Sequence, residues 1–170
     1  RLAGIRPVGL VPKRRTAMIV APPAGMDVSG WPELDDVGDE FYLKPEAGKF
    51  LLSPSDETPS PPTDAQPDEM DIAVAVDRIE RATTLKVRRV ERSWAGLRSF
   101  VSDRTPVVGF DPDAESFFWL AGQGGAGIQT SAGLTQAAAS LILGTEWPAL
   151  LGARDVTADT YSPNRLRRTP

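Results

Sequence analysis

The chain has 170 residues, 41% of them hydrophobic, with 19 basic and 23 acidic side chains and a net charge of −4. That length and apolar fraction predict one compact unit with a real core, and the negative balance gives no overall field to draw nucleic acid or an anionic membrane. Cysteine and histidine are absent, which excludes disulfides, thiolate metal sites, cysteine nucleophiles and Ser-His-Asp machinery, and removes the commonest general base and metal ligand. Chemistry here must rest on Arg, Lys, Tyr, carboxylates and backbone groups, or on a bound cofactor.

The opening segment Arg1 to Pro7 has no long apolar core, and no apolar run approaches the roughly 18 to 20 residues a membrane span needs, so a soluble, cytoplasmic protein is expected. A start on Arg1, without a helix cap, fits a fragment or a processed chain. Thr16 to Val20 is a short run of β-formers behind the basic cluster Lys13-Arg14-Arg15 and predicts a strand. Residues 21 to 38 are punctuated by Pro, Gly and Asp and predict a loop, and residues 39 to 53 predict an antiparallel hairpin turning at Glu46-Ala47-Gly48.

Pro54 to Pro67 is almost wholly polar and Pro-rich, which predicts a surface excursion. Asp68 to Thr83 carries apolar residues at helical spacing and predicts an amphipathic helix. Lys86 to Trp94 favours a strand by its β-branched and aromatic content. Val107 to Phe110 and Phe117 to Ala121 then predict paired strands split by Asp111-Pro112-Asp113. The nearly uncharged stretch Ala126 to Leu143 predicts a helix buried on most of its circumference. The fold class is α+β, with a mixed, mostly antiparallel sheet.

The loop Gly122-Gln123-Gly124-Gly125-Ala126-Gly127 sits between a predicted strand and a predicted helix. Glycines admit close approach by a ligand, and a helix start offers unpaired N–H groups and a partial positive charge. The local pattern alone leaves open a tight packing turn and a ligand cradle in equal measure. It also departs from the dinucleotide fingerprint, because no second strand follows to complete a βαβ unit. Arg15 and Arg98 each have the chemistry to hold a carboxylate by a bidentate, charge-assisted pair, although solvated surface arginine is the more frequent fate. Tyr42 reads locally as a half-buried sheet aromatic. Adjacent pairs such as Asp35-Asp36 and Asp39-Glu40 read as loop solvation, with at most a screened long-range pull on cationic substrates.

Taken together, Arg14-Arg15-Thr16-Ala17, Glu40-Phe41-Tyr42-Leu43-Lys44-Pro45, Trp94 to Phe100 and Phe118 to Thr130 resemble the glycine oxidase and D-amino-acid oxidase family of FAD-dependent oxidoreductases. The resemblance runs from about Ile5 to Arg165. It implies a substrate-binding domain portion over residues 1–105 and, over 106–170, the carboxy-terminal part of an FAD-binding domain whose amino-terminal Rossmann half is missing. The implied activity is oxidation of D-amino acids at the α-carbon by hydride transfer to flavin, as a dehydrogenase or oxidase, with this chain alone incomplete.

The resemblance further implies substrate contacts from Arg15, Tyr42, Arg98 and Gln129. FAD contacts would come from Gly96, Gly122, Gly124, Gly125, Ala126, Gly127, Ile128, Gln129 and Thr130. It assigns no catalytic acid, base or nucleophile and no metal site. The implied partners are a D-amino acid and the missing amino-terminal FAD-binding portion, with a homo-oligomer also open. The competing expectation is a non-catalytic ligand-binding or assembly subunit that retains the fold.

Overall fold

In the computed structural model, which describes residues 3–167, the chain forms two compact units rather than the one its composition suggested. Lys13–Leu97 make up one, here the sheet unit; the segments up to Pro12 and from Arg98 onward make up the other, the hairpin unit. The division lies at Leu97/Arg98, inside a strand, and the opening segment groups with the carboxy-terminal portion. A boundary inside continuous strands leaves no mark on composition.

The sheet unit is built on β1 (Val11–Val20), β2 (Leu34–Asp35), β3 (Tyr42–Glu46), β4 (Lys49–Ser53) and β5 (Thr58–Pro59), in the spatial order β2-β3-β4-β1-β5 with antiparallel pairing throughout. The expected hairpin is β3 and β4, and its turn residues Ala47 and Gly48 both take positive φ, 49° and 75°, as a two-residue type I′ turn requires. Helix α1 (Glu69–Ala82) forms where its periodicity placed it, and Asp68 caps it by accepting from the Met70 N–H at 2.8 Å. Its Ala75 and Ile79 pack on Met18, Leu43, Phe50 and Leu52, and each fully buried side chain of that size contributes about 1.5 to 3 kcal/mol. Met18, Leu52 and Leu43 stand opposite one another in register. The alternate residues Arg15, Ala17, Ile19, Leu51, Ser53, Tyr42 and Lys44 therefore face away from α1.

Two expectations are corrected in this unit. The basic cluster does not precede the strand but lies within β1. The supposed surface excursion has Pro54 and Ser55 buried, and its Thr58–Pro59 pairs with Arg14 and Lys13 of β1. One cause accounts for both. Carboxylates of the excursion and of α1 neutralise the strand's cations: Lys13 Nζ lies 2.8 Å from Glu57, and Arg14 Nη2 lies 2.5 Å from Asp71. Asp56 accepts the Thr16 N–H at 2.6 Å and the Thr16 hydroxyl at 3.0 Å.

The last sheet strand, β6 (Val90–Phe100), pairs with β1. In the hairpin unit β7 (Val107–Asp111) pairs antiparallel with β8 (Ala114–Ala121). Strand β7 is covered on both faces: Val107 packs with Val8, Val101, Trp119 and Leu166, while Val108 packs with Leu134, Ala138, Leu141 and Tyr161. That two-sided burial explains its unbroken apolar pattern.

Helix α2 (Gly127–Leu143) stops at Gly144 in the left-handed conformation, φ 63°. It is not buried on most of its circumference. Leu134, Ala137, Ala138 and Ser140 are buried, but Ile128 is 93% exposed and Leu143 72%. Its lack of charge reads as burial, whereas much of its length carries small polar residues that tolerate water. Short helices α3 (Ala149–Gly152) and α4 (Ala158–Tyr161) and a 3-10 helix (Pro163–Leu166) complete the unit. Among the described residues no helix is long and apolar enough to cross a membrane.

Candidate functional site

The glycine-rich connection leaves β8 at Ala121 and enters α2 at Gly127. Gly122 and Gly124 hold positive φ, 74° and 54°, which a side chain would strain. The Gly124 N–H donates to the Ser99 carbonyl at 3.1 Å, and a Cβ on Gly124 would overlap the Phe100 ring. The loop is thereby tied to the end of β6, and Arg98 lies beside it. A Cβ on Gly125 would fall 2.6 Å from Arg98 Nη1. Glycine at 125 is what lets the guanidinium lie there.

Helix α2 begins without a side-chain cap: Ala126 is its N-cap, and no side chain accepts from the first turn. Thr130 Oγ1 donates instead to the Ala126 carbonyl at 2.8 Å. The first-turn N–H groups and the helix's positive end thus lie next in sequence to the glycine against which Arg98 packs. Among the described residues no carboxylate pairs with Arg98. Ile128 and Gln129 at the head of α2 are exposed. Together the guanidinium and the helix start provide donors for an electron-rich oxygen, without a carboxylate to compete.

The sheet unit holds the other predicted residues. Arg15 is 8% exposed; its Nε donates to the Asp56 carbonyl at 2.9 Å, and Nη2 lies 3.3 Å from Glu57. Arg15 and Tyr42 share the face of the sheet that α1 leaves uncovered, as register and alternation require. Gly96 is exposed, and a Cβ there would meet nothing within 4 Å. The structure therefore groups Arg98 with the glycine loop, Ala126, Gly127, Ile128, Gln129 and Thr130 in one unit, and Arg15 with Tyr42 on one face of the other. Sequence reasoning missed Glu57, the acid shared by Arg15 and Lys13. It lies in the polar excursion, 42 residues from Arg15, where no local signal marks it. Among the described residues no group of His, Cys, Asp or Glu is arranged to hold a metal ion.

Two carboxylates brace the hairpin unit. Asp111 is 2% exposed and accepts from Trp119 Nε1 at 2.8 Å, from the Asp113 N–H at 2.9 Å and from Arg167 Nη2 at 2.7 Å. Burial pushes its carboxyl up, but these three donors together hold it below the ordinary value. Asp103 is held low chiefly by the hydrogen bond from Arg165. Arg167 also reaches the Pro7 and Arg6 carbonyls, at 3.1 and 2.6 Å. These groups are structural ties between the ends of the unit.

Comparison with solved structures finds the same fold repeatedly. L-Proline dehydrogenase from P. horikoshii superposes with a TM-score of 0.73 at 18% identity, covering 98% of this chain and 42% of that one. Iminodiacetate oxidase from Chelativorans sp. BNC1 gives 0.70 at 18%, covering 95% and 42%, and glycine oxidase from Bacillus cereus gives 0.60 at 19%, covering 83% and 38%. The chain thus spans about two fifths of the length of these structures. Residues 2–141 match the family described as DAO, FAD dependent oxidoreductase. With the match covering most of its length, the chain belongs to the DAO family of FAD-dependent oxidoreductases.

Proposed function

We propose that this chain is the carboxy-terminal part of an amino-acid oxidoreductase that oxidises D-amino acids at the α-carbon to imino acids. The observation that carries the reading is the Arg98 guanidinium, free of any carboxylate among the described residues and packed on Gly125 at the uncapped start of α2. An α-amino acid needs its carboxylate pinned before its Cα–H bond can be aimed, and a bidentate arginine does that. The order and spacing of Arg15, Tyr42, Arg98 and Gln129 resemble those of D-arginine dehydrogenases, which favours D-amino acids, those with basic side chains among them.

The residues present fit FAD. The glycines that keep Cβ atoms out of the loop and the open N–H groups of α2 would make a cradle for a flat, electron-rich ring, and Gly96 of the sheet unit leaves open space beside its own backbone. Gly122, Gly124, Gly125, Ala126, Gly127, Ile128, Gln129 and Thr130 would hold it. Bound FAD would supply an electron sink, taking a hydride from the α-carbon while the amine nitrogen gives up a proton to water, so that the substrate leaves as the imino acid. The chain's own part is to bind and orient. In the hairpin unit Arg98 would bind the substrate carboxylate and Gln129 the amine; in the sheet unit Arg15 and Tyr42 carry the same donor chemistry for a carboxylate. Glu57, 3.3 Å from Nη2, and the Asp56 carbonyl, 2.9 Å from Nε, hold the Arg15 side chain in place. The α2 N–H groups would favour negative charge on a group bound at the helix start. On this reading the sheet unit is mainly the substrate side and the hairpin unit the FAD side. The amino-terminal FAD-binding portion is the required partner.

The test is to assemble the chain with that amino-terminal portion and FAD, and to follow flavin absorbance without oxygen as amino acids are added. Bleaching by D-amino acids is expected, and Arg98→Ala should raise the concentration needed by about 30- to 150-fold, the equivalent of about 2 to 3 kcal/mol for a lost charge-assisted hydrogen bond. Bleaching by L-amino acids alone would overturn the D assignment. No bleaching by any amino acid, with FAD bound, would favour the non-catalytic subunit.

A further inference from the structure

The face of the sheet that α1 leaves uncovered carries one acid whose place only the register reveals. Asp35 stands directly opposite Tyr42 in the β2–β3 pair, and Tyr42 stands opposite Ser53 in β3–β4. Residues facing each other across strands project to the same side, so Asp35 shares the face of Tyr42 and Arg15. Its neighbour Asp36 alternates to the other side, where Oδ2 accepts the Gly38 N–H at 2.8 Å and the Glu40 N–H at 3.2 Å. Two other acids of this unit are paired: Glu46 lies 3.1 Å from Lys44, and Glu57 is shared by Lys13 and Arg15. Asp35 is exposed and pairs with no cation among the described residues.

We infer that Asp35 is a specificity-determining residue that selects amino acids whose side chain ends in a cation. The inference rests on the proposed function, in which Tyr42 and Arg15 fix the substrate carboxylate on this face. Adjacent strands lie about 4.8 Å apart, so a carboxylate anchored at Tyr42 leaves a long side chain room to run past β3 toward β2. The acid of β2 on that face is Asp35. An ammonium or guanidinium group gains a charge partner, and a neutral side chain of equal length gains nothing.

The probes are 6-aminohexanoate and hexanoate, which share a carboxylate and chain length and differ in the terminal ammonium. Their binding to the FAD-loaded assembly is measured by calorimetry at low ionic strength. The wild-type protein should prefer 6-aminohexanoate about fivefold, the upper range for a solvent-exposed charge pair. Asp35→Asn should bring that ratio to about 1 with hexanoate binding unchanged, and Asp36→Asn, on the opposite side, should leave the preference in place. An unaltered ratio in Asp35→Asn, or an equal loss in Asp36→Asn, overturns the inference while the proposed function stands. Failure of both carboxylates to bind removes the substrate site itself, and the inference with it.

Discussion

Arg98 and Gly125 are fitted to each other: a single added carbon on the glycine would sit 2.6 Å from the arginine's Nη1. Gly125→Ala is therefore expected to swing the guanidinium off the start of α2 without disturbing the fold, since no positive φ is recorded at this position. In the assembled protein the apparent KM for the amino acid should rise about tenfold or more, the equivalent of about 1.4 kcal/mol, while the far-ultraviolet circular dichroism is unchanged. An unchanged KM would mean that the glycine serves packing alone.

Gly124→Ala is expected to behave differently. Here a Cβ meets the Phe100 ring and the backbone holds φ 54°, so strain and steric conflict add. A loss of about 1 to 3 kcal/mol is expected, read as a lower midpoint in urea. Stability within experimental error of wild type would show that the loop adjusts freely.

Asp111 and Asp103 set an acid limit. Both carboxyls are held below their ordinary value of 3.8 in the folded chain, so the stability they contribute is fully present above that value. It is lost as the pH falls through the depressed folded value. Denaturation midpoints should be level above about pH 5 and decline toward pH 2. Asp111→Asn should lower stability by about 3 to 5 kcal/mol at neutral pH, because it leaves the Arg167 guanidinium buried without its anion. The same substitution should flatten part of the acid decline. Equal pH slopes in the two proteins would rule out Asp111 as a contributor.

Association of the isolated chain should follow the uncovered flank of α2. Ile128, Ile142 and Leu143 are 93%, 55% and 72% exposed, more apolar surface than one helix of a lone soluble chain ordinarily shows. Gel filtration is expected to show concentration-dependent self-association, reduced in an Ile142→Glu, Leu143→Glu double variant. A sharp monomer peak for wild type at high concentration would refute this.

Local pattern carried α1, the β3–β4 hairpin, the β7–β8 pair and the span of α2, because each rests on periodicity or on turn residues within a few positions. It failed where distant groups decide. The cations of β1 looked like a polar lead to a strand until Glu57 and Asp71 met them from 44 and 57 residues away. Asp111 read as a turn residue because its partners Trp119 and Arg167 come from a strand and a tail with no shared period. At the site, the glycine loop was visible as a loop, but its contact with Arg98 needed coordinates. The resemblance of four motifs, rather than any one of them, pointed to the family that the match over residues 2–141 establishes.

Lys13–Leu97 form one uninterrupted stretch of sequence whose flanks both belong to the hairpin unit. Genetically this is a cassette with two junctions, one in β1 and one in β6. Replacing what lies between those junctions takes one crossover at each, and the glycine loop and Arg98 stay outside the exchanged segment. Arg15, Tyr42 and Asp35 travel inside it. If the proposed function holds, substrate preference is set by a segment that is contiguous in sequence, and the glycine loop lies outside it.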